Sequence, residues 1–160
     1  MSETGDARRL ESQFCFALYS ATHAVMRTYR PLLEPLGLTY PQYLVMLLLW
    51  EGGTQTVGGI AERMLLDSST LTPLLKRLEQ LGLVSRRRNP DNERQLIVAP
   101  TAAGIALEEQ ARAIPEAILC ASQQTVADLL RLRDEMTAVR DAFAANRTEA
   151  PGAASDGAAP

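Results

Sequence analysis

Two kinds of residue in this chain carry types and spacings that could do chemistry: a pair of thiols, and a helical face of short hydroxyls followed by cations. The thiols are Cys15 and Cys120, separated by 105 positions. A thiol that senses or reduces an oxidant must react as the thiolate, in a site that stabilises negative charge yet admits the oxidant. Helical spacing puts Tyr19 one turn beyond Cys15 on the same face, with His23 one turn further as a surface or interface residue. No cation lies one turn from Cys15. In the cytosol the two cysteines are not a standing structural disulfide. One histidine and no paired-cysteine spacing give no zinc site, and neither metal nor cofactor is expected. A lone cysteine on an apolar helix face is most often inert packing, and on the residues alone that reading stays open.

The second constellation runs from Leu66 to Gln80. Leu71, Leu74, Leu75, Leu78 and Leu81 recur at steps of three and four, one apolar stripe of a helix. The other face carries Ser68, Ser69, Thr70, Thr72, Lys76 and Arg77. Hydroxyls and cations so placed can reach base edges and phosphates, and a helix N-terminus itself attracts phosphate. The chain has a formal net charge of -3, but charge distribution matters more than the sum. Ser68 to Arg94 holds six cations (Lys76, Arg77, Arg86, Arg87, Arg88, Arg94) against three anions (Glu79, Asp91, Glu93). One positive block on an acidic body is the footprint of a DNA-binding surface.

These residues need elements to position them. Length and composition suit one globular domain of 160 residues with 46% hydrophobic content. Met1 to Leu10 is polar with no signal-peptide core, and the longest apolar run, Leu44 to Trp50, is far short of a membrane span, so a cytoplasmic location is expected. A flexible stretch of residues 1–9 precedes a long amphipathic helix from Leu10 to about Leu33, ended by Pro31 and Pro35. If Ser12 is its N-cap, Cys15 sits at the third helical position, where the positive helix end favours negative charge. Gly37 to Pro41 reads as a connector, and Gln42 to Trp50 as a buried helix apolar nearly all round. Thr56 caps a short helix with Val57, Ile60, Ala61 and Met64 on one face, and a tight turn at Leu65-Leu66-Asp67 leads into the hydroxyl-bearing helix. Two short helices so joined form a helix-turn-helix.

Pro73 removes one hydrogen bond from the second helix of that pair and bends or tightens its start, and Gly82 follows its end. Leu83 to Arg88 and Arg94 to Val98 read as a hairpin around Asn89-Pro90-Asp91-Asn92-Glu93, a basic wing. In that reading Arg94 reaches a minor groove and Asp91 holds it in place. A further helix starts at Pro100-Thr101, carries the stripe Leu107, Ala111, Ile114 and Ile118, and kinks at Pro115. A last one spans about Ser122 to Ala144, with Val126, Leu129, Leu130, Met136, Val139 and Phe143 inward. The fold class is therefore mainly α with a small β-hairpin wing. A winged helix-turn-helix module of about residues 54–100 is flanked by homodimerisation helices at about 10–36 and 101–145, and residues 146–160 form a disordered tail.

Three segments carry a resemblance: Gln13-Phe14-Cys15-Phe16-Ala17-Leu18-Tyr19-Ser20, Gly37-Leu38-Thr39-Tyr40-Pro41-Gln42-Tyr43-Leu44-Val45-Met46, and Leu71-Thr72-Pro73-Leu74-Leu75-Lys76-Arg77-Leu78-Glu79. They resemble the organic-hydroperoxide-resistance regulators, thiol-based repressors within the MarR family of winged-helix dimers. The resemblance runs from about Leu10 to Ala144. The wing pattern Asp91-Asn92-Glu93-Arg94 is general to the family, whereas the cysteine and tyrosine segments are those of the peroxide-sensing branch. It implies that organic hydroperoxide oxidises Cys15 and that the repressor then leaves an inverted-repeat operator in double-stranded DNA. It also implies that Tyr29 and Tyr40 from the partner subunit hydrogen-bond the sulfur, with Tyr19 a third member of the group. Some such regulators carry a second cysteine that forms an intersubunit disulfide with the first, and Cys120 occupies that place, unless it is a buried bystander. Two other classes remain in view. A MarR-type repressor released by a small aromatic ligand needs no cysteine. A thiol peroxidase would use Ser12-Gln13-Phe14-Cys15, but the chain lacks the alternating strand and helix pattern of that fold, and an enzyme needs no basic wing, so no enzyme activity is expected.

Overall fold

The computed structural model describes residues 9–146; the expected flexible start up to residue 8 and the tail from residue 147 lie outside the described residues. The order is α1 (Phe14–Leu33), α2 (Tyr40–Gly52), β1 (Gln55–Thr56), α3 (Val57–Met64), α4 (Ser68–Gln80), β2 (Val84–Asn89), β3 (Asn92–Pro100), α5 (Ala102–Ala111), α6 (Ile114–Ser122) and α7 (Val126–Asn146). Short 3-10 turns precede α1 and follow it. Two compact units divide the chain after Ile118.

The first unit is built around α2. Thr39 and Gln42 close its N-terminus, the backbone N–H of Thr39 donating to Gln42 Oε1 at 2.8 Å. Helix α2 therefore begins at Tyr40, two residues earlier than the apolar run indicates, and Pro41 sits in its first turn. Val45, Met46 and Leu49 are fully enclosed, with Ile60 from α3, Leu71, Leu75 and Leu78 from α4, Val84 and Val98 from the hairpin, and Leu107 and Ala111 from α5 packed into the same core. Each of these valine, leucine, isoleucine and methionine side chains contributes about 1.5–3 kcal/mol by leaving water. Leu81, placed on the apolar stripe by spacing, caps α4 and stays exposed.

Polar caps set the helix starts. Thr56 accepts from the N–H of Gly59, Asp67 from Thr70, and Thr101 from Gly104. The end of α4 closes on Gly82 at φ 73°, where the N–H groups of Leu83 and Gly82 donate to the carbonyls of Leu78 and Glu79. Helix α3 ends in the same way on Leu65, which takes φ 56° despite its side chain. The strands form an antiparallel sheet in the order β1-β3-β2. The two-residue β1, too short to read from sequence, pairs Gln55 with Val98 and Thr56 with Ile97, and so ties the start of α3 to the wing.

Two sequence expectations change. Helix α1 starts after Gln13 rather than Ser12, because Leu10–Ser12 form a separate 3-10 turn. Helix α1 ends at Leu33, as expected, with Pro31 in its last turn. The helix expected to kink at Pro115 is broken instead at Arg112-Ala113, so Cys120 belongs to the sixth helix. In the second unit, α7 presents Val126, Leu130, Met136 and Phe143 exposed on the single chain. No single helix among the described residues is long and apolar enough to cross a membrane.

Candidate nucleic-acid interface and thiol site

Helix α4 owes its orientation to Leu71, Leu75 and Leu78, which are buried and leave Ser69, Thr72 and Lys76 outward at spacings of three and four. Ser68, Thr70 and Arg77 are exposed as well. The N-terminal hydroxyls are already organised. Ser69 Oγ donates to Asp67 Oδ1, and Thr72 Oγ1 donates to the Ser68 carbonyl at 2.6 Å. Hydrogen bonds from Ser69 and Thr70 hold the Asp67 carboxyl below the usual carboxylate range. An incoming base or phosphate must compete with these local bonds, or accept the hydroxyls in the direction they leave free.

The wing separates the three arginines that the sequence groups together. Strand β2 places Arg86 opposite Val98, Arg87 opposite Ile97 and Arg88 opposite Leu96, with an irregularity before Asn89. Arg87 and Arg88 are exposed, and Arg88 Nη1 donates to the Glu93 carbonyl at 2.8 Å. Arg86 turns inward and pairs with Glu79 of α4, Nη2 to Oε2 at 2.6 Å, so it is not presented as a phosphate contact. The expected hold of Asp91 on Arg94 is absent, since among the described residues no ion pair joins them. The turn instead uses side-chain amides as local acceptors: the Asp91 N–H donates to Asn89 Oδ1 and the Arg94 N–H to Asn92 Oδ1. Both side chains remain exposed.

Cys15 is an exposed free thiol at the second residue of α1, one position closer to the helix end than expected. Tyr19 is exposed on the same helix, and its ring meets that of His23 at 4.3 Å. Tyr29 and Tyr40 are brought together, their ring centroids 4.6 Å apart. Tyr43, which sequence reading passed over, joins them at 6.2 Å and 6.4 Å and continues to Trp50 at 6.2 Å. Its spacing of three from Tyr40 on one helix was the available signal. Burial, then the neighbouring Tyr40 and Tyr43, push the Tyr29 hydroxyl up to about 12. Burial also raises Tyr40, against a hydrogen bond from Tyr29 that lowers it, and raises Tyr43. All three are neutral hydroxyls at neutral pH. Tyr29 lies fourteen residues beyond Cys15 on α1, about 21 Å along the axis at 1.5 Å per residue, so it cannot reach the thiol of its own chain. Cys120, also an exposed free thiol, belongs to the second unit.

This arrangement of a capped helix pair, a basic hairpin and long apolar-faced helices has relatives. The MarR family model matches residues 38–96. An organic hydroperoxide resistance transcriptional regulator of Bacillus subtilis (strain 168) is 45% identical over 136 residues, which cover 85% of this chain and 92% of that protein. The chain belongs to the MarR family. Solved MarR-type structures agree with the fold. Reduced AbfR bound to DNA superposes with a TM-score of 0.69 at 38% identity, covering 84% of this chain and 95% of that one. The disulfide-formed AbfR has a TM-score of 0.59 at 35% identity, covering 88% and 94%; AbfR is a protein of Staphylococcus epidermidis. As a MarR-family transcriptional regulator, the protein has in α3 and α4 its helix-turn-helix and in β2–β3 its wing.

Proposed function

We propose that this MarR-family regulator is a homodimeric repressor that binds an inverted repeat in double-stranded DNA through α4 and the wing, and leaves it when organic hydroperoxide oxidises Cys15. The observation that carries the reading is the exposed Cys15 near the start of α1, on a chain 45% identical to an organic hydroperoxide resistance regulator. The distance along α1 supports the dimer. Tyrosines Tyr29 and Tyr40 can donate to a Cys15 sulfur only if they come from another chain. Phe14, Leu18 and Val25 on α1, and the apolar residues of α7, give each unit a face suited to such a partner.

The redox step balances without a cofactor. The Cys15 thiolate attacks the distal peroxide oxygen, the O–O bond breaks, and the alcohol leaves with a proton, giving a sulfenic acid. Attack by the partner's Cys120 thiol then forms the disulfide and releases water. Closing that bond requires Cα atoms within about 7 Å, so it moves the helices that carry the winged modules and alters their separation on DNA. AbfR has been solved reduced on DNA, overoxidised on DNA and in a disulfide form, which supports the disulfide, rather than oxidation of the thiol alone, as the releasing state.

Release by a small aromatic ligand is a second reading, favoured by a cavity of about 460 Å³ lined by Met26, Tyr29, Leu33, Leu38 and Tyr40. One experiment separates the two. Cys15→Ser should bind DNA normally and no longer release it with cumene hydroperoxide. Release by peroxide from the serine variant would refute the redox reading. For the wild type, non-reducing gels should show a covalent dimer, reversed by dithiol and lost in Cys120→Ser. Release without cross-linking would remove Cys120 from the mechanism.

A further inference from the structure

Arg86 engages both oxygens of one carboxylate with two different parts of itself. Its Nε and Nη2 donate to Glu79 Oε2 at 2.9 Å and 2.6 Å, and its backbone N–H donates to Glu79 Oε1 at 3.2 Å. Glu79 lies in the last turn of α4, and Arg86 is the third residue of β2. Between them the chain reverses through the glycine turn at Gly82. The side chains are 22% and 38% exposed, so the pair sits half-sheltered in the angle between helix and wing while Arg87 and Arg88 face solvent. Because one of the three donors is main chain, the carboxylate fixes the strand itself as well as the guanidinium.

A carboxylate beside a phosphate-facing surface opposes DNA binding by simple charge repulsion. We propose that Glu79 is a positioning residue that locks the wing against the recognition helix, so that α4 and the hairpin meet one stretch of duplex at a fixed separation. The proposal rests on the DNA-binding reading above. Phosphate contacts set register and orientation, while base contacts set sequence preference. A wing free to swing keeps its charge but loses register, so sequence preference suffers more than overall affinity. The two side-chain bonds also require arginine: a lysine ammonium retains the charge but cannot reproduce the planar, two-nitrogen approach.

The test uses the full chain and a duplex selected by the wild type from a random pool, with a scrambled duplex as reference, both read by fluorescence anisotropy across a salt series. Glu79→Gln should weaken binding to the selected duplex about tenfold, in the range of coupling between contacting residues. Binding to the scrambled duplex should hold or strengthen. Arg86→Lys should lose the same preference with its charge intact. Glu79→Gln combined with Arg86→Gln should be no worse than either single change, since each removes the same link. Urea unfolding of each variant establishes that it is folded, and Arg86→Lys remains an independent arm if Glu79→Gln is not. Equal strengthening on both duplexes by Glu79→Gln would make Glu79 a mere charge and overturn the proposal, as would full preference in Arg86→Lys. A wild type that selects no duplex would instead overturn the DNA-binding reading itself.

Discussion

Replacing Gly104 by alanine tests the joint between α5 and the end of α4. A Cβ at that position would lie 2.1 Å from the Leu83 carbonyl oxygen and 3.3 Å from Met46 Cε. Since real Cβ contacts do not fall below 3.0 Å, helix or strand must retreat by about 0.9 Å. Two hydrogen bonds lie in the path of that retreat. The Thr101 N–H donates to the same Leu83 carbonyl at 3.0 Å, and Trp50 Nε1 donates to the Gly104 carbonyl at 2.9 Å. Overpacking costs about 1–3 kcal/mol, and a lost hydrogen bond adds about 1 kcal/mol. Against this, alanine returns about 1 kcal/mol of helix propensity. The net loss is about 1–3 kcal/mol, a large share of the ~5–15 kcal/mol that holds a domain of this kind together. Urea unfolding followed by the fluorescence of Trp50, the chain's one tryptophan, should show the midpoint falling by about 1 M. Protein concentration must be held fixed, because dimerisation would add to stability. Gly58→Ala is the control: it is also helical, nothing lies within 4 Å of its Cβ, and the change should be neutral or stabilising by up to about 1 kcal/mol. Equal stability of Gly104→Ala and wild type would refute the reasoning, since the close approach would then be absorbed at no cost.

Three further outcomes follow from the same geometry. Tyr29 titrates at about 12 in the fold against about 10 in an unfolded chain, so the unfolded state releases its proton first. Stability present below pH 10 should fall as pH rises from 10 toward 12, and Tyr29→Phe should flatten that fall in urea midpoints measured across the range. Leu65→Gly should raise the urea midpoint by the equivalent of roughly 1 kcal/mol, because an exposed leucine at φ 56° carries left-handed strain that glycine lacks; a lower midpoint would show that its side chain contributes packing. Replacing Arg87 and Arg88 together by alanine should weaken binding to every duplex and reduce the salt slope by about 2, and an unchanged slope would remove both from the phosphate surface.

What the amino-acid sequence determined by itself is what neighbouring residues decide among themselves. The cap at Thr56, the helix start at Thr101, the glycine turn at Gly82 and the inward stripe Leu71, Leu75 and Leu78 all rest on bonds or spacings within about one helical turn, and all were legible. The hairpin was legible for the same reason, its Asn/Pro/Asp turn lying between two strand-like runs. The start of α1 was missed because Ser12 is by type a better local cap than Gln13, and the preceding 3-10 turn has no distinctive pattern. Tertiary structure alone decided where each charged or aromatic side chain points. Arg86 reads as one of three equivalent cations until the return of β2 past α4 sets it on Glu79, and Asp91 and Arg94, which read as a pair, stand exposed and unjoined on the turn. The cluster of Tyr29, Tyr40 and Tyr43 forms because α2 packs back on α1, which gathers Tyr40 and Tyr43 around Tyr29, itself fourteen residues along α1 from its own chain's Cys15. A cap or a stripe is fixed by bonds a few residues long; the partner of a long side chain is fixed by whichever distant element the buried core brings within its reach, and no periodicity in the chain records that.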